Sequence, residues 1–199
     1  MKVQAFLIAA LFVCMSACAA APRTRVGEFL DERTGATVTV VSAPLIFALE
    51  RSTLAAHARD YISLTAVEVD RSGQTQLCVL GYFWSTIDRR TASGTSQQPA
   101  DKSLALFADD RLIRLTLFES PPADLKASSR LYAPETAHFE QAAYNVSLEQ
   151  LRYISNSQVL KLRLVADKDE EDPDAETYSV WTDSRKALRD FVAQIGPSR

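Results

Sequence analysis

Short apolar runs separated by turn chemistry dominate the body of the chain. Residues 38–41 and 45–49 are apolar stretches split by Ser42-Ala43-Pro44, and Arg33-Thr34-Gly35-Ala36 ahead of them carries a turn signal. Residues 51–59 read either as a short helix or as a connector. The strongest hairpin signal is the pair 61–69 and 75–87, which flanks Asp70-Arg71-Ser72-Gly73-Gln74. Neither strand alternates cleanly between apolar and polar residues. In the second, Leu77, Val79, Phe83 and Ile87 share one face, and Cys78, Leu80, Tyr82 and Trp84 share the other. Apolar residues on both faces predict a central strand covered on both sides. Gly81 fits a bend or a bulge in so long a strand.

Residues 88–102 are polar, rich in Ser, Thr and Gln, and read as an exposed loop. A second hairpin is predicted from residues 104–107 and 112–118, with Ile113, Leu115 and Leu117 on one face and Arg114 and Thr116 opposite; Pro121-Pro122 ends it. The last third changes character. Residues 138–146 read as a strand. Ser147-Leu148-Glu149-Gln150 forms a capping box for a short helix that turns Leu148, Leu151 and Ile154 inward and stops near Asn156. In residues 159–166, Leu160, Leu162 and Leu164 alternate with Lys161 and Arg163, and a further strand covers 177–181. Asp183 is placed to cap a final helix carrying Leu188, Phe191, Val192 and Ile195 at i, i+3, i+4 and i+7, with Gly196-Pro197 as its stop. The helices are too few and too late for a doubly wound parallel sheet. The expected fold is α+β: a mainly antiparallel sheet, curled or sandwiched, with two helices in the C-terminal third packed on one side.

The first residues follow a different rule. Met1-Lys2-Val3-Gln4 is a short positive segment, and residues 5–13 are apolar all round, uncharged, and too short to span a bilayer. Met15-Ser16-Ala17-Cys18 resembles a lipobox, with small residues at Ser16 and Ala17 and methionine where leucine is usual. That resemblance to bacterial lipoproteins implies a signal peptide over residues 1–18 removed before Cys18, lipid on Cys18, a tether over 19–27 and one globular domain over 28–199. Cleavage at Ala17-Cys18-Ala19 or Cys18-Ala19-Ala20 is the rival and would release a soluble periplasmic protein. In lipoproteins an aspartate after the cysteine favours the inner membrane. The residue here is Ala19, which implies the outer membrane, facing the periplasm.

Composition adds exclusions. The formal net charge of −3 includes Lys2, so the mature part sits one unit lower, and no basic run attracts nucleic acid or anionic lipid. Of three cysteines, Cys14 leaves with the leader and an acylated Cys18 has no thiol. Cys78 then stands alone in Leu77-Cys78-Val79-Leu80, as a small buried hydrophobe. The two histidines, His57 and His138, accompany no Gly-x-Ser-x-Gly elbow, zinc-ligand spacing or phosphate loop. No catalytic, metal or cofactor residue is assigned. The acidic run 167–174 has Asp172 and Tyr178 where a calcium loop needs glycine and glutamate, and reads as a solvated loop. Asn145-Val146-Ser147 has the form of a sequon, which the cap role of Ser147 explains.

Tyr82-Phe83-Trp84 is the one dense aromatic stretch. Core packing accounts for it; the alternative is a surface on which Tyr82 and Trp84 meet a partner, with Arg89 and Arg90 supplying charge at the rim. In general pattern, residues 59–90 and 144–195 are similar to small proteobacterial envelope lipoproteins of no assigned activity. The expected function is therefore a non-enzymatic lipoprotein that binds or supports another envelope component. A carrier of an apolar ligand in a curled sheet, and an enzyme of unrecognised type, are the alternatives.

Overall fold

The computed structural model describes residues 25–87, 103–119, 125, 131–136, 138–165 and 176–196. Among these, ten strands join in one sheet with antiparallel pairing throughout. They are β1 (Val26–Asp31), β2 (Ala36–Val41), β3 (Leu45–Glu50), β4 (Arg59–Arg71), β5 (Gln74–Ser85), β6 (Ser103–Ala108), β7 (Arg111–Leu115), β8 (Glu140–Asn145), β9 (Leu160–Val165) and β10 (Thr177–Thr182). Helix α1 (Leu148–Asn156) follows β8, and α2 (Arg185–Ile195) follows β10. The architecture is the expected α+β class: a curled, half-barrel sheet with two helices in the C-terminal third.

β4 organises the sheet. One of its edges pairs with β5 along the whole length, from Asp60↔Ser85 to Arg71↔Gln74. The other edge is shared: its first half pairs with β3 and its second half with β2. Between those two strands lies Ser42-Ala43-Pro44, and proline cannot donate to a ladder, so the chain bends and the sheet branches there. β1 continues the β2 branch, while β10, β9, β6 and β7 continue the β3 branch in that order. Beyond β7 the chain returns to the far side of the sheet. Leu117 bridges Tyr144 of β8, the Phe118 N–H donates to the Ala143 carbonyl (2.9 Å) and the Asn145 N–H to the Thr116 carbonyl (2.8 Å).

The β4–β5 hairpin turns through Ser72 (φ 55°) and Gly73 (φ 85°), a two-residue loop whose positive dihedrals match the twist of the strands. The Gly73 N–H is held by the Asp70 carboxylate at 2.8 Å. Both faces of β5 are buried, as the sequence predicts. Val79 and Phe83 join the inner core with Phe47, Ile62, Leu106, Leu162 and Tyr144, closed by Leu151 and Ile154 of α1 and Leu188 and Phe191 of α2. Cys78, Leu80 and Tyr82 join an outer core with Val38, Val67 and Val69, covered by Leu125, Leu131 and Tyr132.

Three details differ from the sequence reading, and one open alternative is decided. Gly81 makes no bulge, because pairing runs unbroken through Leu64↔Gly81 and Gly81↔Ala142. Its missing Cβ makes room for the Tyr144 ring, whose Cε2 would stand 2.8 Å from that atom. β1 begins at Val26, inside the stretch read as tether, because Val26 and Gly27 already pair with Val41 and Val40. Of the two readings left open for residues 51–59, the connector is the one found: turns run over 51–58, with His57 at φ 63°. At α2 the N-cap position is Ser184, whose side chain makes no capping bond; the Asp183 carboxylate still accepts the Arg185 N–H at 3.0 Å. The capping box of α1 forms as expected, with reciprocal Ser147–Gln150 bonds of 2.8 and 3.1 Å.

Candidate functional site

Aromatic side chains gather on the outer face beside the outer core, against which Trp84 packs. Tyr61 of β4 stands opposite Trp84 of β5 and opposite Ala48 of β3. The Tyr61 and Trp84 rings stack, with centroids 5.2 Å apart and planes 12° apart. Trp181 of β10 meets Tyr61 edge-on at 6.0 Å. The small side chain of Ala48 between the two strands leaves the gap that the rings span.

Trp181 shares the outer face of β10 with Thr177 and Ser179, and a break in strand register falls at it. In the β10–β3 ladder, Val180 pairs with Phe47 and Thr182 with Ile46, so Trp181 is the extra, unpaired residue of a β-bulge. Bulges re-aim a side chain and occur often beside functional sites. Trp181 is 55 % exposed. Arg59 completes the cluster: its guanidinium lies 4.7 Å from the centre of the Trp181 ring and donates to Glu50 at 2.9 Å. The bond to Glu50, and next the one to Tyr61, holds the Arg59 pKa above its ordinary value. Glu50 balances Arg59, and Asp60 and Glu176 hold Arg51 just behind them, so the rim carries charge of both signs. An open aromatic surface with one oriented arginine has the composition that dominates binding energy at interfaces.

Of the proposed interaction residues, Trp84 belongs to this cluster and is half-buried. Tyr82 does not. It is only 2 % exposed, packed edge-on against Tyr132 and Phe139, and burial pushes its hydroxyl up to about 12. Arg89, Arg90, Cys18 and the acidic run 167–174 lie outside the described residues. Tyr61, Trp181 and Arg59 were missed, although a signal existed: Trp181 shares strand parity with Thr177 and Ser179, and Tyr61 with Ser63 and Thr65. A large ring on an otherwise polar face marks either a covered face or an exposed platform.

Two other places were weighed. The inner core encloses a gap of about 20 Å³ between Val41, Leu45, Leu64, Leu106, Leu151 and Leu188, room for one water. An open polar groove of about 450 Å³ separates the end of α1 from the start of α2. Its arginines are engaged: Arg185 donates to the carbonyls of Ser157 and Gln158 and to Asp183, and Arg189 to the carbonyl of Ser155 at 2.6 Å. They close the C-terminal end of α1, where cations are favoured. Among the described residues no group of three or more His, Cys, Asp or Glu could hold a metal ion, and no helix is long and apolar enough to cross a membrane.

Comparison with protein-family models, with curated proteins and with solved structures returns no match.

Proposed function

We propose that this chain is a non-enzymatic envelope lipoprotein, held at the outer membrane by lipid on Cys18 and facing the periplasm, whose aromatic face binds another envelope component. The observation that carries the reading is the cluster that Trp181, more than half exposed, forms with Tyr61, Trp84 and Arg59. A ring needed only for the core would be directed inward, and this one is not. The carrier alternative draws no support from an interior gap of about 20 Å³, because small-molecule pockets occupy roughly 300–1,000 Å³.

A photo-crosslinking residue at position 181 in living cells tests this, with position 186 on the exposed side of α2 as the control. Position 181 is expected to give crosslinked envelope material that position 186 does not. Equal yields at the two positions would remove the docking assignment. Radiolabelled fatty acid is expected on the wild type and not on Cys18→Ser; equal labelling of both would remove the anchor.

A further inference from the structure

We propose that the component met by the aromatic platform is the membrane itself: Tyr61, Trp84 and Trp181 dock into the headgroup zone of the bilayer that holds the lipid of Cys18. This rests on the reading that Cys18 is lipidated.

The first argument is the length of chain outside the described structure. Pairing begins at Val26, which leaves Ala19–Arg25 as the link to Cys18, about 23 Å when fully extended at about 3.3 Å per residue. Val26 pairs with Val41, level with Ala66 of β4, so Tyr61 lies five residues along the strand and two strands across. With about 3.3 Å per residue and 4.8 Å between strands, that separation is roughly 20 Å. The tether therefore lets the platform touch the surface and prevents the domain from moving far away. Such confinement raises the effective concentration of bilayer at the platform, so a surface too weak to bind free vesicles still docks.

The second argument is chemical. Tyrosine and tryptophan concentrate at membrane–water boundaries because each ring is apolar with one polar tip. Two tryptophan rings that each meet Tyr61, one of them under the Arg59 guanidinium, form a platform of that kind. Leu54, 58 % exposed, sits in the loop that joins Glu50 to Arg59 at the same end of β4, and Phe139, 41 % exposed, packs on Tyr82 across β5. Because Arg59 is balanced by Glu50, docking should depend little on anionic lipid.

The chain's two tryptophans are both in the platform, so intrinsic fluorescence reports on it alone. The full lipidated chain is reconstituted in phosphatidylethanolamine–phosphatidylglycerol vesicles, with and without acyl chains brominated near the headgroup. Flotation is measured in parallel. The expected result is a blue-shifted emission and about a twofold loss of intensity with brominated lipid. The quenching is retained in both Trp84→Phe and Trp181→Phe, and is similar in vesicles of phosphatidylcholine. Protein that floats with unshifted, unquenched emission would overturn the proposal and leave the anchor standing. Protein that does not float would overturn both. A crosslink from position 181 in cells that goes wholly to a protein would assign the platform to that protein and overturn the membrane as its occupant.

Discussion

Gly81→Ala measures how tightly the inner face is packed where β5 and β8 run side by side. The residue sits mid-strand in β5 with ordinary pairing on both edges. A methyl there would lie 2.8 Å from Cε2 of Tyr144 and 3.3 Å from Cε2 of Phe83. Carbon atoms pack best at about 3.5–4.0 Å, so the Tyr144 ring has to withdraw by roughly 0.7–1.2 Å. Tyr144 is 0 % exposed and has nowhere to go without displacing its neighbours. Replacing glycine in a strand should otherwise help: lower chain entropy in the unfolded state contributes about 0.5–1 kcal/mol and the buried methyl about 0.8 kcal/mol. Overpacking in a filled core costs about 1–3 kcal/mol in net terms, and with both contacts made by rings the upper half of that range applies. A loss of about 2 kcal/mol corresponds to a fall in Tm of about 4–8 °C for a domain of this size. Thermal and urea unfolding of Gly81→Ala, Tyr144→Leu and the double variant give the cycle. In the Tyr144→Leu background the alanine is expected to be neutral or stabilising. An equal cost in both backgrounds would refute the steric account.

Three further changes test other parts of the structure. Ser147→Ala removes one half of the capping box on α1 and is expected to cost about 1 kcal/mol, read as a lower urea midpoint at unchanged slope. Arg185→Ala uncovers the carbonyls of Ser157 and Gln158 and is expected to cost about 1–2 kcal/mol, only partly recovered by Arg185→Lys, since one ammonium cannot span three acceptors. The Cys78 thiol is pushed up to about 12 by burial, whereas an unfolded thiol ionises near about 8.5. Its contribution is therefore complete below about pH 8.5 and is lost as pH rises towards 12, at up to about 1.4 kcal/mol per unit. Cys78→Ala should flatten the stability profile above about pH 9, and native protein should resist thiol reagents until unfolded; rapid native labelling would contradict the burial.

What was legible in the sequence followed from local pattern. The β4–β5 hairpin, its two apolar faces, the α1 capping box and the amphipathic α2 each rest on spacings within about a dozen residues. What was not legible depends on partners distant in the chain. The role of Gly81 depends on Tyr144, sixty-three positions further on, so a local reading offered only a bend or a bulge. The tether reading extended over Val26 and Gly27, the first two residues of β1, because their partners Val41 and Val40 lie fifteen and thirteen positions on. The aromatic platform draws side chains from β4, β5 and β10, whose neighbourhood no single strand reveals. Trp84 could be singled out because its neighbours made a dense run; Tyr61 and Trp181 stand in runs of ordinary composition.

The distribution of side chains over the outer face separates core from platform. Where that face is covered, by Leu125, Leu131 and Tyr132, it presents Val38, Val67, Val69, Cys78 and Leu80. On β9, where it is exposed or half-buried, it presents Lys161 and Arg163, the ordinary outcome for a solvated strand. The strip from β5 through β4 to β10 follows neither rule. It keeps Trp181 more than half exposed and lays it against Tyr61, which stacks in turn on Trp84. Folding alone gives little reason to leave so large a ring more than half in water, where its return is limited to the contacts with Tyr61 and Arg59. Replacing Trp181 with threonine should therefore cost no more than about 1–2 kcal/mol, the loss of its contacts with Tyr61 and Arg59, while abolishing the envelope crosslink from a neighbouring probe at Ser179. A large loss of stability would instead return the strip to the core.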